Sequence, residues 1–265
     1  MDNPATPVVF VHGLWIHSTS WQPWMDLFTE AGYAPAAPGW PGEAATVEAT
    51  RRNGDAIKGT GIADVTAAYE RHISTLSSKP IVVGHSFGGL IAQRLLASGH
   101  ARAAVAIDPA GMKGVKKLPL VQLRSALPVL SKPSNKNRAV SLTPKQFAFG
   151  FGNRLTRHES DVLHARFAVP GPGRVLFEGA AANKTPDSPA TIDFTAARGP
   201  LLMIAGGKDH TVPEAVVQAA FDLYAGASTV TDLVRFPDRA HSLVFDAGWR
   251  EVAERSLAWL RSQGL

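Results

Sequence analysis

The sequence predicts an α/β protein built on a mainly parallel sheet of about six strands flanked by helices. Short runs of β-branched and other apolar residues alternate along the chain with segments whose apolar residues recur at helical spacing. Strands that alternate with helices in this way pair in parallel through right-handed crossovers. At 265 residues, with 45% hydrophobic and 18% charged residues, the chain can bury the sizeable core that such a sheet needs.

Six short segments account for the predicted sheet. They cover residues 7–11, 33–37, 81–83, 103–107, 201–205 and 230–236. Helices are expected between them and after the last one, over residues 21–28, 62–76, 87–97, 213–224 and 249–260. Ser18 or Ser20 can cap the first of these helices, and Gly32 ends it.

A long segment interrupts the alternation between the fourth and fifth strands. Helical patches, separated by proline and glycine, occur near residues 118–130, 144–151, 158–167 and 174–183, and no pattern there indicates a strand. We therefore expect two parts: an α/β core of residues 1–111 and 196–265, and an all-helical insertion of residues 112–195.

Charge is distributed unevenly, although the net charge is only +5. Between Asp108 and Glu159 there is no acidic residue, but there are ten basic ones, and the rest of the chain has 17 Lys and Arg against 22 Asp and Glu. A basic insertion on an acidic body is consistent with attraction of anionic substrates or a polyanionic surface, and also with a solvated basic face. No nucleic-acid-binding motif accompanies it, so we expect no nucleic-acid partner.

Other features of the sequence limit the classes of function. It contains no cysteine, which excludes disulfides, thiolate chemistry and cysteine-bound metals. The first residues carry no basic segment, and the first apolar run, residues 8–11, is too short for a signal or membrane helix. We expect a soluble cytoplasmic protein that acts on a small molecule, with no membrane partner; a homodimer remains compatible with the sequence.

The rest of the chain is organised around Ser86. A buried strand runs directly into Gly84-His85-Ser86-Phe87-Gly88 and then into a helix. A serine at such a sharp turn is held clear of both elements, and the free N–H groups and positive dipole end of the helix point at the same place. The pattern predicts a nucleophilic serine rather than a glycine-rich turn with a bystander serine.

Further polar groups follow the predicted strands, at the edge where parallel sheets bind ligands. A serine hydroxyl needs an imidazole base, and a carboxylate must orient that imidazole. The order Ser86, Asp209, His241 supplies all three groups. His210 is disfavoured as the base because its side chain diverges from that of Asp209. Asp108 remains an alternative acid, because it directly follows the predicted strand 103–107, the next strand after the Ser86 turn.

The first predicted strand leads into His12-Gly13-Leu14. Gly13 lets the backbone turn tightly, which leaves the N–H of Leu14 free to face the same edge of the sheet. His12 is expected to brace this loop, and His85 is expected to point away from the pocket.

Taken together, these motifs resemble those of the α/β-hydrolase superfamily over nearly the whole chain. The resemblance rests on residues 11–13, the elbow at 84–89, the segment 207–213 and His241. It is strongest to small bacterial esterases grouped with cofactor-free haloperoxidases.

The resemblance has consequences for the site. It implies a catalytic triad of Ser86, Asp209 and His241, and an oxyanion hole formed by the backbone N–H groups of Leu14 and Phe87. It also implies that residues 112–195 form a helical cap and that no metal or organic cofactor takes part.

Departures from neighbouring branches of the superfamily narrow the chemistry. Haloalkane dehalogenases and epoxide hydrolases carry Asp where Ser86 stands. Plant-type hydroxynitrile lyases have Thr in place of Gly13 and Lys in place of Ser242. Carbon–carbon-bond hydrolases usually carry a glycine-rich run where this chain has Leu14-Trp15-Ile16.

We therefore expect a serine hydrolase of the carboxylesterase type that acts through an acyl-enzyme. A lactonase or a carbon–carbon-bond hydrolase with the same triad remains an alternative, as does a binding protein that keeps the fold without turnover. The side chains expected to face a hydrophobic acyl or alcohol group are those of Trp15, Trp40, Phe147 and Phe151, together with Leu14 and Phe87.

Overall fold

The computed structural model describes residues 5–265, and a six-stranded parallel sheet lies at its centre. The N-terminal residues 1–4, which the sequence assigns to the core, lie outside the described part. In chain order the strands are β1 (Pro7–Val11), β2 (Ala34–Ala36), β3 (Ile81–His85), β4 (Ala103–Ile107), β5 (Ala139–Val140), β6 (Gly171–Pro172), β7 (Leu201–Gly206) and β8 (Thr231–Phe236). The central sheet has the order β2-β1-β3-β4-β7-β8, and its neighbours pair in parallel. The predicted α/β fold with six sheet strands is confirmed.

The burial of these strands explains their composition. β1, β3, β4 and β7 are buried along their whole length, because helices cover both faces of the sheet. β8 lies at one edge and is mostly half-buried, which fits its mixed sequence Thr-Asp-Leu-Val-Arg-Phe. Continuous apolar runs are typical of parallel strands buried on both faces, so the sequence predicted the central strands most clearly.

Helices surround the sheet and fill the insertion. They are α1 (Gln22–Glu30), α2 (Val47–Arg52), α3 (Ile62–Ile73), α4 (Phe87–Ala97), α5 (Leu120–Leu130), α6 (Pro144–Gly150), α7 (Arg157–Phe167), α8 (Gly173–Ala180), α9 (Glu214–Asp222) and α10 (Trp249–Ser262). Trp24 and Phe28, one turn apart on α1, pack edge-on against Phe10 of β1. Among residues 5–265, no helix combines the length and the apolar character needed to cross a bilayer.

Capping residues define the start of two helices in the insertion. Thr143 caps α6 and exchanges hydrogen bonds with Gln146, and Thr156 caps α7 in the same way with Glu159. The four helices α5–α8 lie where the sequence predicted helical patches.

The insertion also contains strands, which the sequence did not predict. β5 and β6 form a two-residue antiparallel pair, with Ala139 opposite Pro172 and Val140 opposite Gly171. The expectation of an all-helical insertion is corrected to this extent. A pair of two residues is too short to produce an alternating pattern in the sequence.

The loop after β1 joins the insertion to the core. Trp15 Nε1 donates a hydrogen bond to the carbonyl oxygen of Val140 (3.0 Å), and the Val169 N–H donates to the carbonyl oxygen of Trp15 (2.9 Å). Ile16 forms a bridge with Ala168. Trp15 itself has a φ of +70°, a value that bulky residues rarely adopt.

The carboxyl ends of the parallel strands lie at one edge of the sheet. The residues that follow β1, β3, β4, β7 and β8 at this edge include Gly13, Ser86, Asp108, Asp209 and His241. Ligands of parallel sheets bind at this edge, so these residues define the candidate site.

Candidate active site

Ser86 occupies the turn between β3 and α4. Its backbone has φ +58° and ψ −122°, a conformation that residues other than glycine rarely adopt. The Ser86 N–H donates to the carbonyl oxygen of Ile107 (2.9 Å), and the Ser86 carbonyl oxygen accepts from the N–H of Ala110 (2.9 Å). Residues at the end of β4 therefore hold the strained turn in place.

Two glycines make room for this turn. A Cβ at Gly84 would lie 2.0 Å from the carbonyl oxygen of Gly88, and a Cβ at Gly88 would lie 2.1 Å from the carbonyl oxygen of Val11. Both blocking atoms belong to the backbone and cannot rotate away. The first turn of α4 therefore packs directly on the backbone of β3 and of β1.

Two backbone N–H groups lie beside the serine turn. Phe87 is the first residue of α4, so its N–H has no partner within the helix. Gly13 brings the loop after β1 against the turn, since a Cβ there would lie 2.8 Å from the Cβ of Ser86. Leu14 follows directly, and within residues 5–265 neither its N–H nor that of Phe87 donates a hydrogen bond.

His241 and Asp209 form a buried pair beyond the ends of β8 and β7. His241 Nδ1 and Asp209 Oδ2 are 2.5 Å apart, and both side chains are fully buried. Asp209 Oδ1 accepts hydrogen bonds from the backbone N–H groups of Thr211 (2.6 Å) and Val212 (2.8 Å). These bonds fix the carboxylate, which holds a proton on Nδ1 of His241 and leaves Nε2 as an acceptor.

Asp108 approaches the same imidazole from the end of β4. Its Oδ2 lies 3.9 Å from His241 Nδ1, which is too long for a hydrogen bond, and its Oδ1 accepts from the Gly206 N–H at 2.7 Å. The backbone of Asp108 has a φ of +41°. The geometry favours Asp209 as the partner of His241 and leaves Asp108 as a second carboxyl group beside the pair.

His85 packs against His241, a contact that sequence reasoning missed. The two ring centroids are 4.4 Å apart, and both rings are buried. The only signal in the sequence is the position of His85 inside the elbow. Donor atoms of His85, Asp108 and His241 lie within 4.8 Å of one another. His241 Nδ1 is bound to Asp209 and Asp108 Oδ1 to a backbone N–H, whereas His85 Nε2, Asp108 Oδ2 and His241 Nε2 have no hydrogen-bond partner among residues 5–265.

Burial controls the protonation of this cluster. It lowers the pKa of His241 to about 4, and it lowers the pKa of His85 well below its ordinary value, so both imidazoles are neutral at neutral pH. Burial raises the pKa of Asp209 to about 7. Burial and the negative charge of Asp209 raise the pKa of Asp108 well above its usual range.

The second nitrogen of His241 has no partner in the described part of the chain. Nε2 is buried, and no donor among residues 5–265 forms a hydrogen bond with it, Ser86 Oγ included. Hydrogen bonds between a serine and its base are often long in ligand-free proteins and shorten in the substrate complex.

A cavity of about 310 Å³ reaches Ser86 from the side of the insertion. Its volume suits a small molecule. Its wall is mainly apolar and comes from both parts of the chain: Leu14, Trp15 and Phe87 from the core, and Met112, Val115, Leu123 and Leu176 from the insertion. The charged residues that line it, Lys116, Lys117 and Lys184, are all basic and exposed.

Of the five aromatic residues expected to face the substrate, Trp15 and Phe87 line this cavity. Trp40 instead stacks on His12, with centroids 5.1 Å apart, and its backbone N–H donates to His12 Nε2. Phe147 and Phe151 stack on each other at 5.0 Å, and Phe151 lies edge-on against His241 at 4.8 Å. The prediction for Trp40, Phe147 and Phe151 is therefore corrected: they pack in the core and behind the site.

Two further histidines contact the backbone. His12 Nδ1 lies 3.0 Å from the carbonyl oxygen of Gly13, in the loop that His12 was expected to brace. His210 Nδ1 lies 3.0 Å from the carbonyl oxygen of Phe149, and its ring packs on the Phe149 ring. The His210 side chain is thus held by the insertion, while His241 pairs with Asp209.

Solved structures share this architecture. A monoacylglycerol lipase from Paleococcus ferrophilus superposes with a TM-score of 0.66 at 22% identity, covering 98% of this chain and 96% of the lipase. The Mycobacterium tuberculosis protein BpoC, named as a non-heme bromoperoxidase, gives 0.70 at 20% identity, with 98% and 93% covered. A methylesterase from Arabidopsis gives 0.66 at 15% identity, with 97% and 99% covered. At these identities the likeness concerns the fold.

Comparison of the sequence with family models shows which family the chain belongs to. No curated protein is detectably similar to the chain by sequence. The sequence model described as "Alpha/beta hydrolase family" matches residues 8–255, nearly the whole chain. The matched region includes the serine turn, both carboxyl groups and His241. The chain therefore belongs to the alpha/beta hydrolase family.

Proposed function

We propose that this protein is a serine hydrolase that cleaves carboxylic esters of hydrophobic small molecules. The observation that carries the proposal is Ser86, held in a strained turn at an apolar cavity. In this proposal Ser86 is the nucleophile, His241 is its base and Asp209 orients His241. The backbone N–H groups of Leu14 and Phe87 stabilise the oxyanion.

The reaction has two halves. His241 Nε2 takes the proton of the Ser86 hydroxyl as Oγ attacks the ester carbonyl, and Asp209 stabilises the imidazolium that forms. The carbonyl oxygen becomes negatively charged and accepts from the two N–H groups, each of which contributes about 3 kcal/mol to transition-state stabilisation in comparable enzymes. The alcohol leaves with the proton from His241. Water, deprotonated by the same imidazole, then releases the acid from Ser86.

Protonation of the buried pair fits these steps. The base must be neutral before it takes a proton, and burial lowers the pKa of His241 to about 4. The orienting group must be charged, and the pKa of Asp209, raised by burial to about 7, allows this in neutral to mildly basic solution. Burial and the charge of Asp209 raise the pKa of Asp108, which favours its uncharged form beside the pair.

Residues 112–195 serve as a cap in this proposal. They supply the wall of the cavity opposite the sheet, through Met112, Leu123 and Leu176 among others. An apolar wall excludes water and strengthens the electrostatic contacts at the oxyanion. It also favours an apolar acyl or alcohol group. Structural neighbours that are a lipase and a methylesterase by name favour an ester as the substrate.

Turnover of chromogenic p-nitrophenyl esters tests the proposal. The wild-type protein should hydrolyse them, Ser86→Ala should fall to near background, and Ser78→Ala, at an exposed serine, should match wild type. A fluorophosphonate probe should label wild type and Ser78→Ala but not Ser86→Ala. Labelling of Ser86→Ala would contradict the assignment of Ser86 as the nucleophile. So would a Ser86→Ala protein that keeps more than a few per cent of the wild-type turnover.

The same assays separate the alternatives. Cleavage of lactones without cleavage of open esters would identify a lactonase. Hydrolysis of diketones without hydrolysis of esters would identify a carbon–carbon-bond hydrolase. Ester binding with neither turnover nor labelling would identify a binding protein that keeps the fold.

A further inference from the structure

Exposed large apolar side chains are concentrated in one short stretch. Six such residues occur in the described part of the chain, and four of them lie between residues 118 and 127. The exposed fractions are 61% for Leu118, 83% for Leu120, 40% for Leu123 and 58% for Leu127. Single exposed apolar residues are ordinary, but a contiguous group marks an interaction surface.

The leucines are arranged on one side of α5. Leu120, Leu123 and Leu127 stand at positions i, i+3 and i+7, which share a helix face. Other residues of the same helix, Gln122 and Ala126 among them, line the cavity that reaches Ser86. We call Leu118, Leu120, Leu123 and Leu127 together the α5 face. This face therefore borders the candidate active site.

Basic side chains surround the α5 face. Lys116, Lys117, Arg124 and Lys132 are all exposed. No acidic residue occurs between positions 109 and 158. None of these four cations pairs with an acidic group among residues 5–265. The ammonium groups of Lys116, Lys117 and Lys132 are therefore available to an external anion, while the Arg124 guanidinium also packs over the Phe149 ring, 4.2 Å from its centroid.

We propose that the α5 face docks on the surface of an anionic lipid aggregate. Leucine side chains that enter the acyl region and basic side chains that contact the headgroups are the combination by which surface helices bind anionic membranes. A second copy of the chain fits less well, because a two-fold contact of this face with itself would bring two basic surfaces together. The proposal replaces the sequence-based expectation of no membrane partner.

The position of the α5 face gives this docking a role. Leu118 and Leu123 are both exposed and part of the cavity wall. An apolar ester dissolved in the lipid can then reach the cavity without crossing bulk water. This role rests on the proposed function, but the docking itself does not, since it depends only on exposed residues.

Sedimentation with vesicles tests the docking. Ser86→Ala protein is used throughout, so that hydrolysis cannot change the lipid. It should bind vesicles of equal parts phosphatidylglycerol and phosphatidylcholine, and bind pure phosphatidylcholine at least about ten-fold more weakly. Leu120→Gln with Leu127→Gln should weaken binding to the anionic vesicles by about ten-fold or more. Neither leucine lines the cavity.

Matched controls use exposed residues elsewhere. Val162→Gln with Val230→Gln removes the two large exposed apolar side chains that residues 5–265 carry outside the α5 face, and it should leave vesicle binding unchanged. Arg124→Glu with Lys132→Glu should weaken binding, whereas Lys79→Glu, at the opposite edge of the sheet, should not. With Ser86 restored, Leu120→Gln with Leu127→Gln should hydrolyse a soluble short-chain ester within about two-fold of wild type, which shows that the variant is folded.

Four results would overturn the docking proposal. They are absence of binding to anionic vesicles, equal binding to both vesicle types, equal binding by the leucine variant, and a dimer in solution that the leucine variant abolishes. Failure of the proposed function gives a different pattern: vesicle binding persists while no ester is cleaved.

Discussion

Around His241 the polar side chains are buried and bound to one another, whereas around α5 leucine and lysine side chains lie exposed. In the first region, displacement of one group disturbs the others, since Asp209 is held by two N–H groups and by His241. In the second region, side chains touch few neighbours, so substitutions there are expected to change recognition without unfolding the protein. Under the two proposals, bond cleavage and substrate capture depend on separate parts of the molecule.

The largest expected effect concerns the two carboxyl groups beside His241. Asp209→Asn keeps the shape but removes the charge that selects the tautomer and stabilises the imidazolium, so kcat for a soluble ester should fall by about three to four orders of magnitude. Asp108→Asn should reduce kcat by less than about ten-fold, because Asp108 Oδ2 lies 3.9 Å from His241 Nδ1, too far for a hydrogen bond. Steady-state kinetics of both variants measure this ranking. The opposite ranking would assign the orienting role to Asp108.

The pH dependence of the reaction sharpens the description of the buried region. The reactive form needs a neutral His241, present above pH about 4, and an ionised Asp209, present above pH about 7. Both forms are gained as the pH rises, so Asp209, which has the higher pKa, determines the acidic limb of the plot of kcat/KM against pH. The value of kcat/KM should rise about ten-fold per pH unit below about 7 and then level off, with the apparent pKa belonging to the pair.

A matched variant checks this assignment. In Asp209→Asn the limb near neutral pH should disappear from the residual activity, because the group that titrates there is gone. A profile in Asp209→Asn that keeps the same limb would show that another group controls it.

A smaller effect is expected in the cavity wall contributed by the insertion. Leu176→Ala removes apolar surface that an acyl chain would contact, so kcat/KM for an octanoate ester should fall by about ten-fold, within the range expected for one buried aliphatic side chain. Turnover of an acetate ester should change by less than about two-fold. A parallel loss for both esters would mean that Leu176 supports the structure and does not contact the acyl chain.

The smallest expected effect is electrostatic. Lys116 and Lys117 lie exposed on the cavity wall, so a carboxylate-bearing ester should lose a few-fold in kcat/KM as NaCl rises from about 20 to about 500 mM, because salt screens such attraction. A neutral ester of similar size should barely respond. Lys116→Glu with Lys117→Glu should remove the salt dependence, and Lys79→Glu serves as the control.

Lys113 is left out of this charge reversal for a structural reason. Although it belongs to the same basic stretch, its ammonium group donates to the carbonyl oxygens of Thr185 and Pro186. Replacing it would disturb the insertion as well as the charge. Parallel salt curves for the two esters would leave the basic side chains without a role in steering.

The sequence predicted the features that depend on neighbouring residues. The strands, the serine turn and the helix that follows it each have a local signal, and the strand ends place Asp209 and His241 at one edge of the sheet. The packing of His85 against His241 has no such signal, because it depends on how the end of β3 meets the loop that follows β8. Local patterns therefore sufficed to predict which residues lie at the strand ends of the site. They did not predict which side chains pack against one another there.

The insertion was the part least predictable in detail. Phe147 and Phe151 are aromatic residues of the kind that often lines a substrate cavity. In the structure they stack on each other, and Phe151 packs against His241. Trp40 likewise is an apolar residue in a loop that follows a strand, but it stacks on His12. Which apolar residues face a cavity is decided by the relative placement of the insertion and the core, and no periodic pattern records that placement.

The bonds of Trp15 have a consequence for motion. Its side chain and its carbonyl group are both tied to the insertion, at Val140 and Val169, while the preceding residue is Leu14. Lifting the insertion on this side would break those two bonds and allow Trp15 to leave its left-handed conformation. In the proposed function the neighbouring Leu14 N–H binds the oxyanion, so opening the insertion for a large molecule would loosen the loop that carries this group, and closing it would restore the loop.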